Sequence, residues 1–278
     1  MSKILSSRKY YNGQHYFLDE ENQVIKLEEN FHRDLLKNPV GSFKGFKKIG
    51  GSSIGNALNL NQFNNEFLAF CHIARLSMPV LDPKYVNAGV AIEPKMIDLL
   101  EKRTQRIVKT FPAQEYNYDY FKHKHDILGG IPDGYIESQK IVIEIKTAGE
   151  AKQAQWEQYG IPSSYLKQAQ LYSHLMGANH YAIAAVFLKE EDYKEPNNVD
   201  VSQRNTLLKI FPLDKTVAED DIKKVVDWFE LYSKKGISPR YEVAPNKDLI
   251  EYLSCKNYDE WFNLYLKWRS EGKIVENE

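Results

Sequence analysis

The stretch Ile141-Val142-Ile143-Glu144-Ile145-Lys146-Thr147, preceded by Pro132-Asp133, decides how this chain is read. In an extended strand, alternation sets Glu144 and Lys146 on one face and Ile143 and Ile145 on the other. A carboxylate and an ammonium among such apolar residues are costly to desolvate unless they are paired or bind something. An exposed sheet face with an i, i+2 ion pair would account for these two alone. Asp133, however, sits on the preceding strand, where a hairpin return can set it beside Glu144. Two carboxylates brought together repel, and a divalent cation relieves that repulsion. Mg²⁺ takes oxygen ligands at ~2.0–2.1 Å and keeps several waters, which suits two carboxylates plus the backbone carbonyl of Ile145. A lysine beside the ion can orient or help deprotonate a bound water. These are the parts of metal-assisted phosphodiester hydrolysis.

Outward from this stretch, the chain reads as a mixed α/β (α+β) protein, a sheet with helices packed on it. Gln14–Leu18 and Gln23–Leu27 alternate around an acidic turn and predict a hairpin. A lysine and glycine loop follows, Gly41–Gly51. Apolar residues at helical spacing predict helices near 58–76 and near 92–109, with Pro94 in the first turn of the second. Tyr116–Lys122, Gly134–Glu137 and Lys140–Thr147 read as strands, which would set His123 and His125 on one strand face. Pro162 opens a helix that ends at Gly177. Tyr181–Leu188 reads as a buried strand and Thr206–Phe211 as another. Further helices lie around Ile222–Tyr232 and near 257–269. The expected organisation is one nuclease domain over 1–278, with a hairpin extension (1–40), a catalytic core (41–235) and a C-terminal helical extension (236–278).

Composition narrows the class. The chain has 278 residues, 42% hydrophobic and 27% charged, which fits a globular protein with a real core. Its longest apolar run, Tyr181–Leu188, is far short of the ~20 residues of a membrane span, and no apolar leader precedes it, so a cytoplasmic, membrane-free protein is expected. Two cysteines exclude a disulfide scaffold, a Cys-built zinc site and a four-Cys iron–sulfur cluster. Net charge is −1, so positive charge is concentrated locally or not at all. One such place exists: no acidic residue lies between Asp34 and Glu66, whereas Lys37, Lys44, Lys47 and Lys48 do.

Pro132-Asp133…Glu144-Ile145-Lys146 resembles the PD-(D/E)XK nuclease motif in its literal form. Three further segments resemble the branch that holds phage lambda-type exonuclease and the YqaJ-like viral recombinases. They are Ile49-Gly50-Gly51-Ser52-Ser53-Ile54, Gly89-Val90-Ala91-Ile92-Glu93-Pro94, and Tyr165-Leu166-Lys167-Gln168-Ala169-Gln170-Leu171-Tyr172. All four occur in the family's order. The resemblance implies a restriction-endonuclease-like central mixed β-sheet flanked by helices.

It also implies roles. Glu93 would be a third acid, kept ionised at a helix N-terminus, and with Asp133, Glu144 and the Ile145 carbonyl would hold one or two Mg²⁺ or Mn²⁺ ions. Lys146 and Gln168 would position the water and the phosphate. Ser52, with the Gly50 and Gly51 amides, would form an anion site at a helix start, and Tyr165 would contact DNA. The family places an arginine shortly before the serine. Here Lys44, Lys47 or Lys48 would have to replace it, a point charge where arginine offers a fork. The implied substrate is duplex DNA with a free end, cut 5′-to-3′ in phage or mobile-element recombination. A single-strand annealing protein is the implied partner, and a ring-shaped homo-oligomer the implied assembly. Within the C-terminal stripe Tyr258, Trp261, Phe262, Tyr265 and Trp268, core and subunit contact both stay open, as do cover and base contact for Trp156. Two other functions share these features: an endonuclease of the same superfamily in defence or repair, and a non-catalytic nucleic-acid-binding protein with this fold. Clustered acids facing phosphate argue against the second.

Overall fold

The computed structural model describes residues 3–275. In chain order it contains α1 (Lys3–Ser7), β1 (Tyr16–Asp19), β2 (Val24–Leu27), α2 (Glu29–Lys37), α3 (Gly51–Ala57), α4 (Glu66–Ile73), α5 (Lys84–Thr104), β3 (Gly134–Ile136), β4 (Ile141–Gly149), α6 (Lys152–Tyr159), α7 (Ser163–Met176), β5 (His180–Leu188), β6 (Asn205–Pro212), α8 (Lys215–Lys235), α9 (Val243–Ser254) and α10 (Tyr258–Ser270). These fall into two compact units. One comprises Gly50–Gly55 and Lys84–Lys223. The other comprises the residues through Ile49, Asn56–Pro83 and those from Lys224 onward.

The first unit carries the sheet, in the order β3-β4-β5-β6. β4 and β5 run parallel, with Ile143 opposite Ala182 and Lys146 opposite Ala185. β3 and β6 flank them antiparallel. A parallel pair needs a crossover, and α6 and α7 supply it. Strand alternation sorts side chains onto two faces. Ile141, Ile143, Ile145, Ala182, Ala184 and Val186 pack with Ile92, Met96 and Leu100 of α5. On the other face Ile183, Ala185 and Phe187 pack with Trp156 of α6 and Ala169 of α7. The result is a mixed sheet between helical layers, as expected. Trp156 is therefore cover for the sheet, edge-on to Phe187 at 5.4 Å.

Three expectations need correction. Tyr116–Lys122 forms turns rather than a strand, with left-handed backbone at Asn117 and Tyr118 (φ 50° and 62°). Asp119 ties that segment down by accepting from the Phe121 and Gly130 amides. His123 and His125 consequently share no strand face; the His125 ring accepts from the Ile127 and Leu128 amides and shapes the loop. The helix expected near 92–109 starts at Lys84, so Glu93 and Pro94 lie in its middle. Pro94 is tolerated there because the carbonyl it leaves unpaired, that of Val90, belongs to a residue 71% exposed and can be solvated. The helix expected over 58–76 is confined to Glu66–Ile73, capped by the Asn65 side chain on the Leu68 amide.

In the other unit, β1 and β2 form the expected hairpin, pairing Tyr16 with Leu27. Arg8 is buried here. It donates to the Tyr252 and Cys255 carbonyls and lies 4.0 Å from the centre of the Tyr252 ring. Of the C-terminal stripe, Trp261, Tyr265 and Trp268 are buried, while Tyr258 and Phe262 keep a solvent-facing edge. No helix among the described residues is long and apolar enough to cross a membrane.

Candidate active site

The β3–β4 hairpin builds the site. A tight turn with left-handed backbone at Lys140 (φ 53°) reverses the chain. The register then pairs Gly134 with Ile143, so Asp133, one residue earlier, reaches the level of Glu144. Asp133 Oδ2 accepts from the Ile145 amide at 2.6 Å. The N–H and C=O of one strand residue point to the same side. The Ile145 carbonyl therefore faces the Asp133 edge of β4, beyond the start of β3.

Glu144 is 1% exposed, and its Oε1 accepts from two donors. Lys146 Nζ donates at 2.7 Å and Gln168 Nε2 at 2.5 Å. Lys146 Nζ also reaches Gln168 Oε1 at 3.1 Å, which closes a triangle of Glu144, Lys146 and Gln168. Gln168 arrives from α7, where the sequence placed it. Tyr165, one turn earlier, sets its ring 4.8 Å from the ammonium. Glu144 Oε2 is buried with no hydrogen-bond partner.

The charges are crowded and incompletely matched. Burial first, and then the Asp133 carboxylate, push Glu144 up to about 8 against the opposing pull of Lys146. Burial likewise raises Asp133, with the Ile145 amide opposing. Glu93 stands at the rim, its outer side in solvent. Crowding on its inner side and the Asp133 charge push it up to about 7. Because it lies mid-helix, no helix N-terminus keeps it ionised, which corrects the physical reason given for its charge. Burial works against the Lys146 ammonium, but Glu144 outweighs it and holds Lys146 above its ordinary value.

This arrangement fits a hard divalent cation. A buried carboxylate oxygen without a partner beside a second carboxylate is a ligand set lacking its positive charge. Among the described residues no three His, Cys, Asp or Glu side chains close on one point as a complete cage. The described residues thus bring together two carboxylates, Asp133 and Glu144, and Glu93 bears on them through its charge.

The glycine-serine segment enters the same unit at α3. Its two glycine amides are already used, which corrects the anion site expected there: Gly51 N donates to Tyr172 Oη at 3.1 Å, and Gly50 N to Ser53 Oγ at 3.0 Å. Ser52 is left exposed. Gly51 is required by close approach, since a Cβ there would lie 2.5 Å from Tyr172 Oη and 2.6 Å from Gln168 Cγ. The segment thereby braces the α7 face that presents Gln168.

In the other unit the three loop lysines separate. Lys44 is exposed and Lys48 half-buried. Lys47 lines a cleft of about 390 Å³ with Lys9, Arg75 and Ser77. Arg75 donates from Nε to the Gly45 carbonyl at 2.7 Å and from a second nitrogen to the Ser42 carbonyl, clamping the loop. Burial, and then the Arg75 charge, hold Lys47 below its ordinary value. Sequence reasoning passed over Arg75 because it lies 30 positions beyond the loop carbonyl it grips, with no spacing to join them.

Fold and site together define the class: a PD-(D/E)XK-type nuclease domain, with the acid pair, lysine and helix glutamine on and over one strand. Within that class, residues 44–179 match the family model of the YqaJ-like viral recombinase domain. It is 25% identical over 261 residues to the uncharacterized protein MG373 of Mycoplasma genitalium, covering 79% of this chain and 90% of that one. Among solved structures, the alkaline exonuclease LHK-Exo of Laribacter hongkongensis superposes with a TM-score of 0.51 at 14% identity, over 75% of this chain and 94% of that one. A second structure of that enzyme, in complex with dAMP, gives 0.52 at 14% identity, over 68% and 89%. A phage-related exonuclease of Haemophilus somnus gives 0.50 at 15% identity, over 68% and 94%.

Proposed function

We propose that the protein is a divalent-metal-dependent deoxyribonuclease that degrades duplex DNA from a free end in the 5′-to-3′ direction. The observation that carries this is the buried, partnerless Oε2 of Glu144 beside Asp133, with Lys146 and Gln168 fixed on the other oxygen. Asp133, Glu144 and the Ile145 carbonyl would hold one or two Mg²⁺ or Mn²⁺ ions, with Glu93 contributing charge from the rim. When bound, the cation lowers the pKa of a water and offsets charge on the phosphate oxygens.

The protein's own residues do the rest. Lys146 keeps its proton, because Glu144 and Asp133 stabilise the ammonium, and offers it to the negative charge that develops on the phosphate. Gln168 fixes Glu144 with its amide N–H and Lys146 with its carbonyl, so both are oriented before substrate arrives. Asp133 is held by the Ile145 amide in the orientation a ligand needs. Ser52 is available to a phosphate. Lys47 and Arg75, two cations facing one cleft, suit a terminal 5′-phosphate, with Lys44 and Lys48 on the same loop supplying positive potential. An exonuclease of similar fold has been solved in complex with dAMP, and a nucleotide substrate is proposed for this protein too. A role in phage-type recombination, a single-strand annealing partner and a homo-oligomeric ring belong to the same proposal, as does a cytoplasmic location.

The test is a duplex labelled at either its 5′ or its 3′ end and incubated with Mg²⁺ or Mn²⁺. Early release of the 5′ label as a mononucleotide is expected. Early release of the 3′ label reverses the polarity, and internal cutting makes the protein an endonuclease.

A further inference from the structure

Two residues of α5 depart from helix rules close to Glu93, and the catalytic proposal uses neither. Gly89 lies inside a 21-residue helix, where glycine is a poorer helix former than alanine. Its surroundings give no reason for it. A Cβ built at Gly89 would meet nothing within 4 Å beyond its own turn of helix, and its φ is not left-handed. Gly13, Gly160, Gly177 and Gly272 also face open space, but each has the positive φ that calls for glycine. Pro94 is the second departure, and it leaves the Val90 carbonyl without its usual helical partner. A helical glycine that neither packing nor backbone conformation requires marks a place where something outside the chain approaches the backbone closely.

Gly89, Glu93 and Ile97 recur at i, i+4 and i+8 and form one row along α5. The far end of the row is anchored beside the active site: a Cβ at Gly134, the residue after Asp133, would lie 3.3 Å from the Ile97 side chain. The middle of the row is Glu93, whose carboxylate feels the charges of Asp133 and Lys146. Gly89 stands about 6 Å further along the helix axis, with the exposed apolar side chains of Val86 and Val90 beside it. No lysine or arginine lies within 85–94. A bare backbone with an uncharged, apolar margin suits the sugar edge of a nucleic-acid strand, whereas phosphates call for cations.

We propose that the deoxyribose edge of the strand being cut packs against the α5 backbone at Gly89, closer than any side chain there would allow. The inference rests on the nuclease reading for the identity of that strand. Contact at this point, one turn from Glu93, fixes how the strand enters the site and so where its phosphate meets Asp133 and Glu144. Gly89 is thus a positioning residue for the substrate, through the space it leaves open.

The test compares Gly89→Ala and Gly89→Leu with Asn87→Ala, an exposed position of α5 off that row. Alanine and leucine are better helix formers than glycine and meet no obstacle within the chain. Without DNA, the melting temperature should therefore rise by about 2–4 °C in Gly89→Ala and not fall in Gly89→Leu. Affinity for a linear duplex, measured with Ca²⁺ in place of Mg²⁺, should move the other way. It should fall about 5- to 150-fold in Gly89→Ala, the range that corresponds to a methyl group forced into a close contact, and further in Gly89→Leu. Cleavage with Mg²⁺ should fall in the same order, while Asn87→Ala keeps both binding and cleavage. Wild-type binding and cleavage in either Gly89 variant overturns the contact, as does a lower melting temperature in Gly89→Ala, which would place the need for glycine inside the chain. A changed oligomeric state of Gly89→Leu in sedimentation without DNA also overturns it, by giving the close approach to a second copy of the chain. Weakened DNA binding in the Gly89 variants of a protein whose wild type cuts no DNA leaves the contact standing and overturns the nuclease reading instead. A wild-type protein that binds no DNA overturns both.

Discussion

Replacing Glu144 by Gln should stabilise the metal-free protein at alkaline pH, an effect opposite in sign to that of most substitutions at a buried site. The folded-state value of Glu144 is about 8 against an ordinary 4.5. Between these two values the folded protein holds a proton that the unfolded chain has released, so stability falls as pH rises from about 4.5 to about 8 and is flat beyond. At 1.36 kcal/mol per unit the interval sets an upper bound of about 5 kcal/mol, and relaxation with water entry on ionisation reduces it to roughly 2–3 kcal/mol. Glutamine keeps the volume and can accept from Lys146 and Gln168 as the glutamate does. Its amide nitrogen takes the place of the partnerless Oε2, beside Asp133. Thermal unfolding in EDTA should therefore show wild type and Glu144→Gln nearly equal at pH 5, with the variant higher by about 4–10 °C at pH 8.5. Mg²⁺ should raise the wild-type melting temperature at pH 8.5 by binding the folded form, and leave the variant little changed. A wild-type stability that is flat from pH 5 to pH 8.5 in EDTA would refute the reasoning, because it would mean that the buried carboxylate is already satisfied.

Other outcomes follow from single contacts. Tyr172→Phe removes the hydroxyl that accepts from the buried Gly51 amide; it should cost about 1–3 kcal/mol and lower activity by loosening the face that carries Gln168, as read by denaturant unfolding and by initial rates. Lys146→Met should abolish cleavage while Mn²⁺ still binds, checked by calorimetry beside the activity assay. Lys47→Ala with Arg75→Ala should erase any preference for 5′-phosphorylated over 5′-hydroxyl ends, and an unchanged preference removes the end-binding role of that cleft.

How much of this was legible in the sequence differs from element to element. The β4 stretch was readable because alternation is a local property: the same pattern that buries Ile143 and Ile145 delivers Glu144 and Lys146 to the opposite face. Gln168 was readable because α7 has an intact helical period between Pro162 and Gly177. Tyr116–Lys122 misled because its aromatic content imitates a strand, whereas Asp119 folds it into turns through contacts with Gly130, eleven positions away. The start of α5 was missed because Pro94 looks like a first-turn proline, although Pro83 stands directly before the helix. The brace between Gly51 and Tyr172 and the Arg75 clamp span 121 and 30 positions, and no spacing rule encodes them. What local periodicity determines was visible, and what depends on which loops meet was not.

The central claim is tested most directly by one plasmid offered in linear and in covalently closed circular form with Mg²⁺, alongside Asp133→Ala. The account predicts that the linear form disappears, the circle survives, and the variant degrades neither. Survival of both forms with the wild-type protein, or unimpaired digestion by Asp133→Ala, would contradict it.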